Sequence, residues 1–251
     1  MIADRSSGDP LTGEREPAAA ILVYESPGFL ADAWRVARKD LLIEFRTRSA
    51  FLAACVFALL SVAIFRFTWD GTAIPAMDLA PPVLWVIFTF SGLLGLNRSF
   101  QIEQADRALD ALLASPMSRE SVFAGKVIAN FVFVLSVQAL ALPAIALFFN
   151  LPSGGGWFGV LLIVVLAAIG LSAVGTLFAA VASNTRLAEM LLPMLALPFF
   201  VPLVIPAAQA SVVLLEGRPM ADAANWLKIL LAFDIVFTAA CTVAFPYTLE
   251  E

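Results

Sequence analysis

Histidine is absent from all 251 residues, and only two cysteines are present. Without histidine the chain cannot supply a Ser-His-Asp or Cys-His nucleophile system, a histidine-ligated zinc or a histidine-ligated haem iron. Cys55 and Cys241 each lie inside an apolar run, where a thiol behaves as a small hydrophobe. Neither a disulfide framework nor a metal site is indicated. Charge is scarce as well, with 14% of residues charged against 61% hydrophobic. The formal net charge of -5 comes with no basic block, so nucleic-acid binding has no support. A soluble core cannot hold that apolar fraction.

What is present is a series of long apolar runs. About 20 residues of helix cross the hydrocarbon of a bilayer. Spans are read at residues 50–67, 82–96, 127–149, 158–182, 187–215 and 226–247, which makes the chain an all-α integral membrane protein with six transmembrane helices. Residues 1–27 carry Pro10, Pro17, Gly8, Gly13 and mixed charges, and their apolar run 21–24 is too short for a signal peptide. They are expected to form a flexible cytoplasmic tail ahead of a single membrane domain, 28–251. In residues 28–48, Leu30, Trp34, Ala37, Leu41 and Phe45 recur at steps of three and four among Arg35, Arg38, Lys39, Arg46 and Arg48. That pattern predicts an amphipathic helix lying in the membrane interface. An ordinary surface helix would carry the same pattern, but a span follows at once.

Between the third and fourth spans, residues 150–156 hold Pro152 and three consecutive glycines and are expected to reverse the chain. The fifth apolar segment contains Pro193, Pro198, Pro202 and Pro206, each removing a backbone donor. The expectation is a kinked helix from about residue 187, then one or two short re-entrant pieces before Asn225. With the amino terminus inside, all of the fifteen Lys and Arg residues except Arg66, Arg218 and Lys228 fall on the cytoplasmic side. The positive-inside rule then places both termini in the cytoplasm.

The stretch between the second and third spans carries the most information. Glu103, Asp106 and Asp110 are spaced three and four apart, which on a helix makes an acidic stripe beside an apolar patch of Leu109, Leu112 and Leu113. Pro116 ends that helix, and Ser118 caps the next, with Glu120 in its first turn. A charged loop helix is usually only a solvated face; leucines on such a loop point instead to a docking partner.

The run Leu109-Asp110-Ala111-Leu112-Leu113-Ala114-Ser115-Pro116-Met117-Ser118-Arg119-Glu120, reaching Gly125-Lys126, resembles the coupling-helix region of six-span permeases of type-2 ABC exporters. Those permeases also begin with an interfacial elbow helix, matched here by residues 28–48. Two further segments are similar to the haem exporter protein B (CcmB) family of cytochrome c maturation. One is Gly92-Leu93-Leu94-Gly95-Leu96-Asn97-Arg98-Ser99-Phe100; the other is Phe233-Asp234 with Phe245-Pro246-Tyr247-Thr248-Leu249-Glu250-Glu251. The resemblance covers roughly residues 28–251 and implies an inner-membrane permease subunit whose coupling region, 98–126, is gripped by a separate ATPase subunit. By that resemblance Glu103, Asp106, Leu109, Asp110, Leu112 and Leu113 make the contact. ATP and Mg belong to the partner, haem is the implied cargo, and a second permease copy or another membrane protein, including a haem-handling one, is expected beside it. The residues agree that ATP is handled elsewhere. Gly125-Lys126 is followed by Val127 and lacks the upstream glycine of a phosphate loop.

Ionisable groups inside a span are costly. Asp234 stands eight residues into the last span, and three readings remain open for it: lining a pathway, pairing with Arg186 or Arg98, or being wetted near the outer boundary beside Lys228. Gln138 suits a helix-to-helix hydrogen bond, and Arg66 suits snorkelling. Asp234, Gln138 and Arg186 are the candidate intramembrane polar site. Gly155 and Gly159, then Ala168, Ser172 and Thr176 at four-residue steps, let backbones approach, within the bundle or at a dimer interface. Three other functions compete with haem export: a permease for a drug, lipid or polysaccharide; an intramembrane aspartyl protease, which needs a second carboxylate beside Asp234; and a passive membrane scaffold.

Overall fold

The computed structural model describes residues 28–72, 74–105, 117–152, 154, 156–183 and 188–249. Among them seven α-helices follow one another without a strand: α1 (Phe29–Thr47), α2 (Ser49–Thr68), α3 (Ala76–Ala105), α4 (Arg119–Phe148), α5 (Gly156–Ser183), α6 (Ala188–Leu215) and α7 (Met220–Ala244). A short 3-10 helix, Phe245–Leu249, closes the described chain. Six of these helices, α2 to α7, are long and apolar enough to cross a membrane. We call the end of the bundle that bears the α3–α4 connection basal and the opposite end apical.

The six-span reading holds, with two corrections. The second span does not begin at Pro82: α3 starts at Ala76 and runs through Pro81 and Pro82. The Pro75 carbonyl accepts from Asp78 and Leu79 N–H at 3.1 and 3.3 Å, so the first turn is formed before either proline is reached. The fifth segment is also a single helix and not a helix followed by re-entrant pieces, with all four prolines inside α6. Pro198, Pro202 and Pro206 stand at four-residue steps, so the donors they lack are missing along one stripe, and Pro198 and Pro202 lie on the exposed face. Hydrogen bonding continues on the other faces, and Leu192, Ala196, Phe200, Leu203, Ala207 and Ala210 hold the buried side against the bundle.

Helix ends follow local chemistry. α4 closes with Asn150 in the left-handed region, φ 51°, while Leu151 N–H reaches the Ala146 carbonyl and Asn150 N–H that of Leu147. Gly217, φ 78°, ends α6 in the same way, with Arg218 N–H on Val213 and Gly217 N–H on Leu214. Both are Schellman closures, each followed within two residues by a proline. At the apical end Arg66 donates from Nε to the Phe148 carbonyl at 2.7 Å and lies 5.1 Å over the Trp69 ring, so it caps α4 where snorkelling was expected.

α5 is the centre of the bundle, packed by α3, α4, α6 and α7. Its small residues let neighbours in: Gly175 faces Leu96 of α3, Gly170 faces Leu203 of α6 and Phe233 of α7, and Gly159 faces Leu214. Gly159, Ala168, Ser172 and Thr176 are all buried inside one chain, which assigns them to the bundle and not to a dimer interface. Two buried hydrogen bonds fix register, Asn130 Nδ2 to Thr176 Oγ1 at 2.9 Å and Trp85 Nε1 to Ser211 Oγ at 3.1 Å.

At Gly156 an added Cβ would overlap the Leu214 carbonyl, which is backbone and cannot turn aside, whereas at Gly154 it would meet nothing within 4 Å. Gly156→Ala is therefore expected to destabilise the bundle by about 1–3 kcal/mol, and Gly154→Ala to stay within about 0.5 kcal/mol. Thermal unfolding in detergent measures both; equal midpoints for the two variants would contradict this packing.

Candidate functional site

The basal end gathers the features that sequence reading singled out. α3 is 30 residues long, about 45 Å at the α-helical rise. Its apolar part stops at Asn97. Residues 98–105 therefore continue as helix for about 12 Å beyond it. Glu103 stands in the last turn of that extension. Asp106, Leu109, Asp110, Leu112 and Leu113 lie outside the described residues, as does Arg186. The described residues resume at Met117. Ser118 caps α4 as the sequence predicts, its Oγ accepting from Ser121 N–H at 3.2 Å, and Glu120 sits in the first turn.

The first two turns of α4 are held from two sides. On one side α1 lies against them: Gly125 meets the Ala33 carbonyl and the Val36 side chain so closely that a Cβ would stand 2.5 Å from that oxygen. Beside this contact Lys126 Nζ reaches Asp40 Oδ2 at 3.3 Å, with Lys126 only 1% exposed and Asp40 12%. On the other side Arg119 Nη1 donates to the Pro246 carbonyl at 3.1 Å, and the Phe123 and Phe245 rings meet at 5.0 Å. The start of α4 is thus in contact with both α1 and the carboxyl-terminal segment.

The Lys126–Asp40 pair was not visible in the sequence, where Gly125-Lys126 mattered only for the phosphate loop it fails to form. One signal did exist, a lysine at the threshold of an apolar span. α1 also turns a different face to the bundle from the one its large apolar residues mark. Ala33, Val36 and Ala37 are buried, while Leu30, Trp34 and Phe45 point away from the protein. A left-handed residue, Arg48 at φ 53°, separates α1 from α2. Glu44 Oε1 bridges this joint by accepting from Phe51 N–H at 2.9 Å, an orphan donor in the first turn of α2.

The other polar candidates sit at mid-depth. Asp234 is buried against Gly170, where a Cβ would stand 2.5 Å from its Oδ1. Gly170 is in the middle of the 28-residue α5, about 20 Å from either end. That depth removes the reading in which Asp234 is wetted near the outer boundary. Neither of its oxygens has a hydrogen-bond partner, and the same holds for Thr238 Oγ1 one turn further along α7, for Ser172 on α5 and for both polar atoms of Gln138. Gln138 thus does not make the interhelical bond expected of it; Asn130, two turns earlier on α4, makes one with Thr176. Among the described residues Asp234 is the one buried carboxylate within a span, so the paired carboxylates of an aspartyl protease are not assembled there.

The family model described as CcmB protein matches residues 31–251. A protein named heme exporter protein B from Paracoccus denitrificans (strain Pd 1222) is 30% identical over 206 residues, covering 82% of this chain and 93% of its own length. Its namesake from Rhodobacter capsulatus is 30% identical over 172 residues, 68% of this chain and 78% of the relative. That from Pseudomonas aeruginosa is 27% identical over 195 residues, 77% and 86%.

Lys126 is the buried member of the Lys126–Asp40 pair, and its removal leaves Asp40 with Lys39, at 3.2 Å, as its remaining cation. Lys126→Met is expected to cost about 1–3 kcal/mol, the loss of a hydrogen bond between charged groups. The double variant Lys126→Met with Asp40→Leu should recover most of that loss, and thermal unfolding of the two in one detergent gives the comparison. A single variant as stable as the parent would show that the pair does not hold α1 to α4.

Proposed function

The chain belongs to the CcmB protein family, and from that premise we propose that it is the membrane-spanning permease subunit of an ABC transporter serving haem export and cytochrome c maturation, driven by ATP hydrolysis on a separate subunit. The observation that carries this reading is the extent of the family match, which takes in α1 and all six spans and not one motif. The chain has no phosphate loop of its own, so the motor is another polypeptide. With no histidine in the chain, any histidine ligand to haem iron comes from a partner, and a haem-handling membrane protein fits that role.

The cations support an inner-membrane placement with the basal end in the cytoplasm. Arg35, Arg38, Lys39, Arg46, Arg48, Arg119 and Lys126 stand at that end, and Arg66, Arg218 and Lys228 at the other. Both termini then face the cytoplasm, and α1 serves as the elbow helix in the interface. The ATPase grips residues 98–126, with Glu103, Asp106, Leu109, Asp110, Leu112 and Leu113 as its contacts. Closure of two ATPase subunits pulls on the α3 extension and on the first turns of α4, and the contacts with α1 and Pro246 pass the motion into the bundle. Asp234 and Gln138, buried without partners at mid-depth, are the polar groups that a pathway opening through the bundle would expose. One six-span chain supplies half of such a machine, so a second copy or another membrane subunit completes it.

Affinity purification of the chain from mild detergent should bring down a phosphate-loop ATPase. Leu112→Arg with Leu113→Arg is expected to lower that recovery at least about tenfold, the effect of losing about 1.4 kcal/mol of docking. Arg218→Gln, at the apical rim, should leave it unchanged. Full recovery with both arginines introduced would overturn the docking assignment.

A further inference from the structure

A cavity of about 800 Å³ opens between α1, α2 and α4 at the basal end, with Gly95 of α3 at its floor. That is within the roughly 300–1,000 Å³ range of ligand pockets. Its walls are apolar, formed by Leu41, Leu42, Phe45, Leu52, Val132 and Phe133, and its rim carries Arg38, Arg48, Asp40 and Glu44. The two rim carboxylates are already engaged. Asp40 faces Lys39 at 3.2 Å and Lys126 at 3.3 Å, and Glu44 accepts from Phe51 N–H. The two arginines are exposed, and among the described residues neither forms an ion pair. Arg48 donates from Nε to the Phe45 carbonyl at 3.2 Å and lies 5.2 Å over the Phe45 ring, contacts that leave its charge uncompensated.

An apolar trough roofed by two uncompensated guanidinium groups, beside the first residues of a span, has the chemistry of a phospholipid turned on its side. We propose that this groove holds an anionic phospholipid of the leaflet adjoining the basal end. Its phosphate is bound by Arg38 and Arg48, and an acyl chain lies along Leu52, Val132 and Phe133. The inference rests on the membrane reading of α2 and α4. A second copy of the chain suits the groove less well, because a two-fold contact of this surface with itself brings Arg38 and Arg48 toward their own copies. The amino-terminal tail joins at Gly28, about 30 Å along α1 from Arg48.

Native mass spectrometry of the full chain, purified in mild detergent and given equimolar phosphatidylglycerol and phosphatidylcholine of the same acyl chains, reads the preference directly. Each arginine at a lipid surface contributes about fivefold. The parent is therefore expected to retain phosphatidylglycerol about 25-fold more tightly, each of R38Q and R48Q to lower that ratio about fivefold, and R38Q/R48Q to bring it near one. Ser136→Phe, which fills the groove from α4, should reduce retention of both lipids. Equal retention by the parent, or a preference that survives R38Q/R48Q, overturns the proposal. So does tighter phosphatidylglycerol binding once residues 2–27 are deleted, or a parent dimer that R38Q/R48Q dissociates. Retention of neither lipid would sink the membrane reading itself, whereas phosphatidylcholine retention without a preference sinks only the groove's occupant.

Discussion

In lipid, apolar side chains gain nothing by leaving their surroundings for one another, so a helical bundle depends on how closely its backbones can approach. Here that approach is concentrated on α5. Gly159, Gly170 and Gly175 each receive a side chain from a neighbour, and Ala168, Ser172 and Thr176 add further small buried residues among the larger ones, such as Ile163 and Leu171, that α5 also packs. α3, α4, α6 and α7 all reach it. The large aromatic groups are then free to work elsewhere, as with Trp85 and Phe88 packed at 4.9 Å inside the bundle, or Trp69 and Phe149 at 5.8 Å at its apical end.

The basal end is where the proposed motor contact lies. The α3 extension and the capped start of α4 flank the segment assigned to the motor. α4 is in turn tied to α1 by Gly125 and the Lys126–Asp40 pair, and to the carboxyl-terminal segment by Arg119 and Phe123. Three pieces of chain distant in sequence, α1, the start of α4 and the carboxyl-terminal segment, therefore meet at one place. At mid-depth the situation reverses. Asp234, Thr238, Ser172 and Gln138 are buried without hydrogen-bond partners, a costly arrangement in a closed bundle. Such groups are expected where a membrane protein opens and lets water or cargo meet them.

The parts of this architecture that depend on local chemistry were legible in the sequence. The amphipathic stretch 28–48 appears as α1 ending at Thr47, Ser118 caps α4, and the glycine-rich turn reverses the chain after Asn150. The prolines misled, because a rule about one missing donor says nothing about the turns that continue around it; Pro81 and Pro82 sit inside α3, and four prolines inside α6. Partnerships across the fold were hidden. Lys126 and Asp40 are 86 residues apart, and no spacing announces them. Asp234 was conspicuous as a charge in an apolar run, but its depth became visible only through its contact with Gly170.

The central claim is that a separate motor grips this chain between its second and third spans from the cytoplasm. It is tested most directly by placing one cysteine at position 112 in a Cys55→Ser, Cys241→Ser background and probing it in intact cells and in the purified complex. The account predicts that a membrane-impermeant thiol reagent leaves this cysteine unlabelled until the cells are opened, and that a short bifunctional cross-linker joins it to a phosphate-loop ATPase. Labelling from outside intact cells would contradict it.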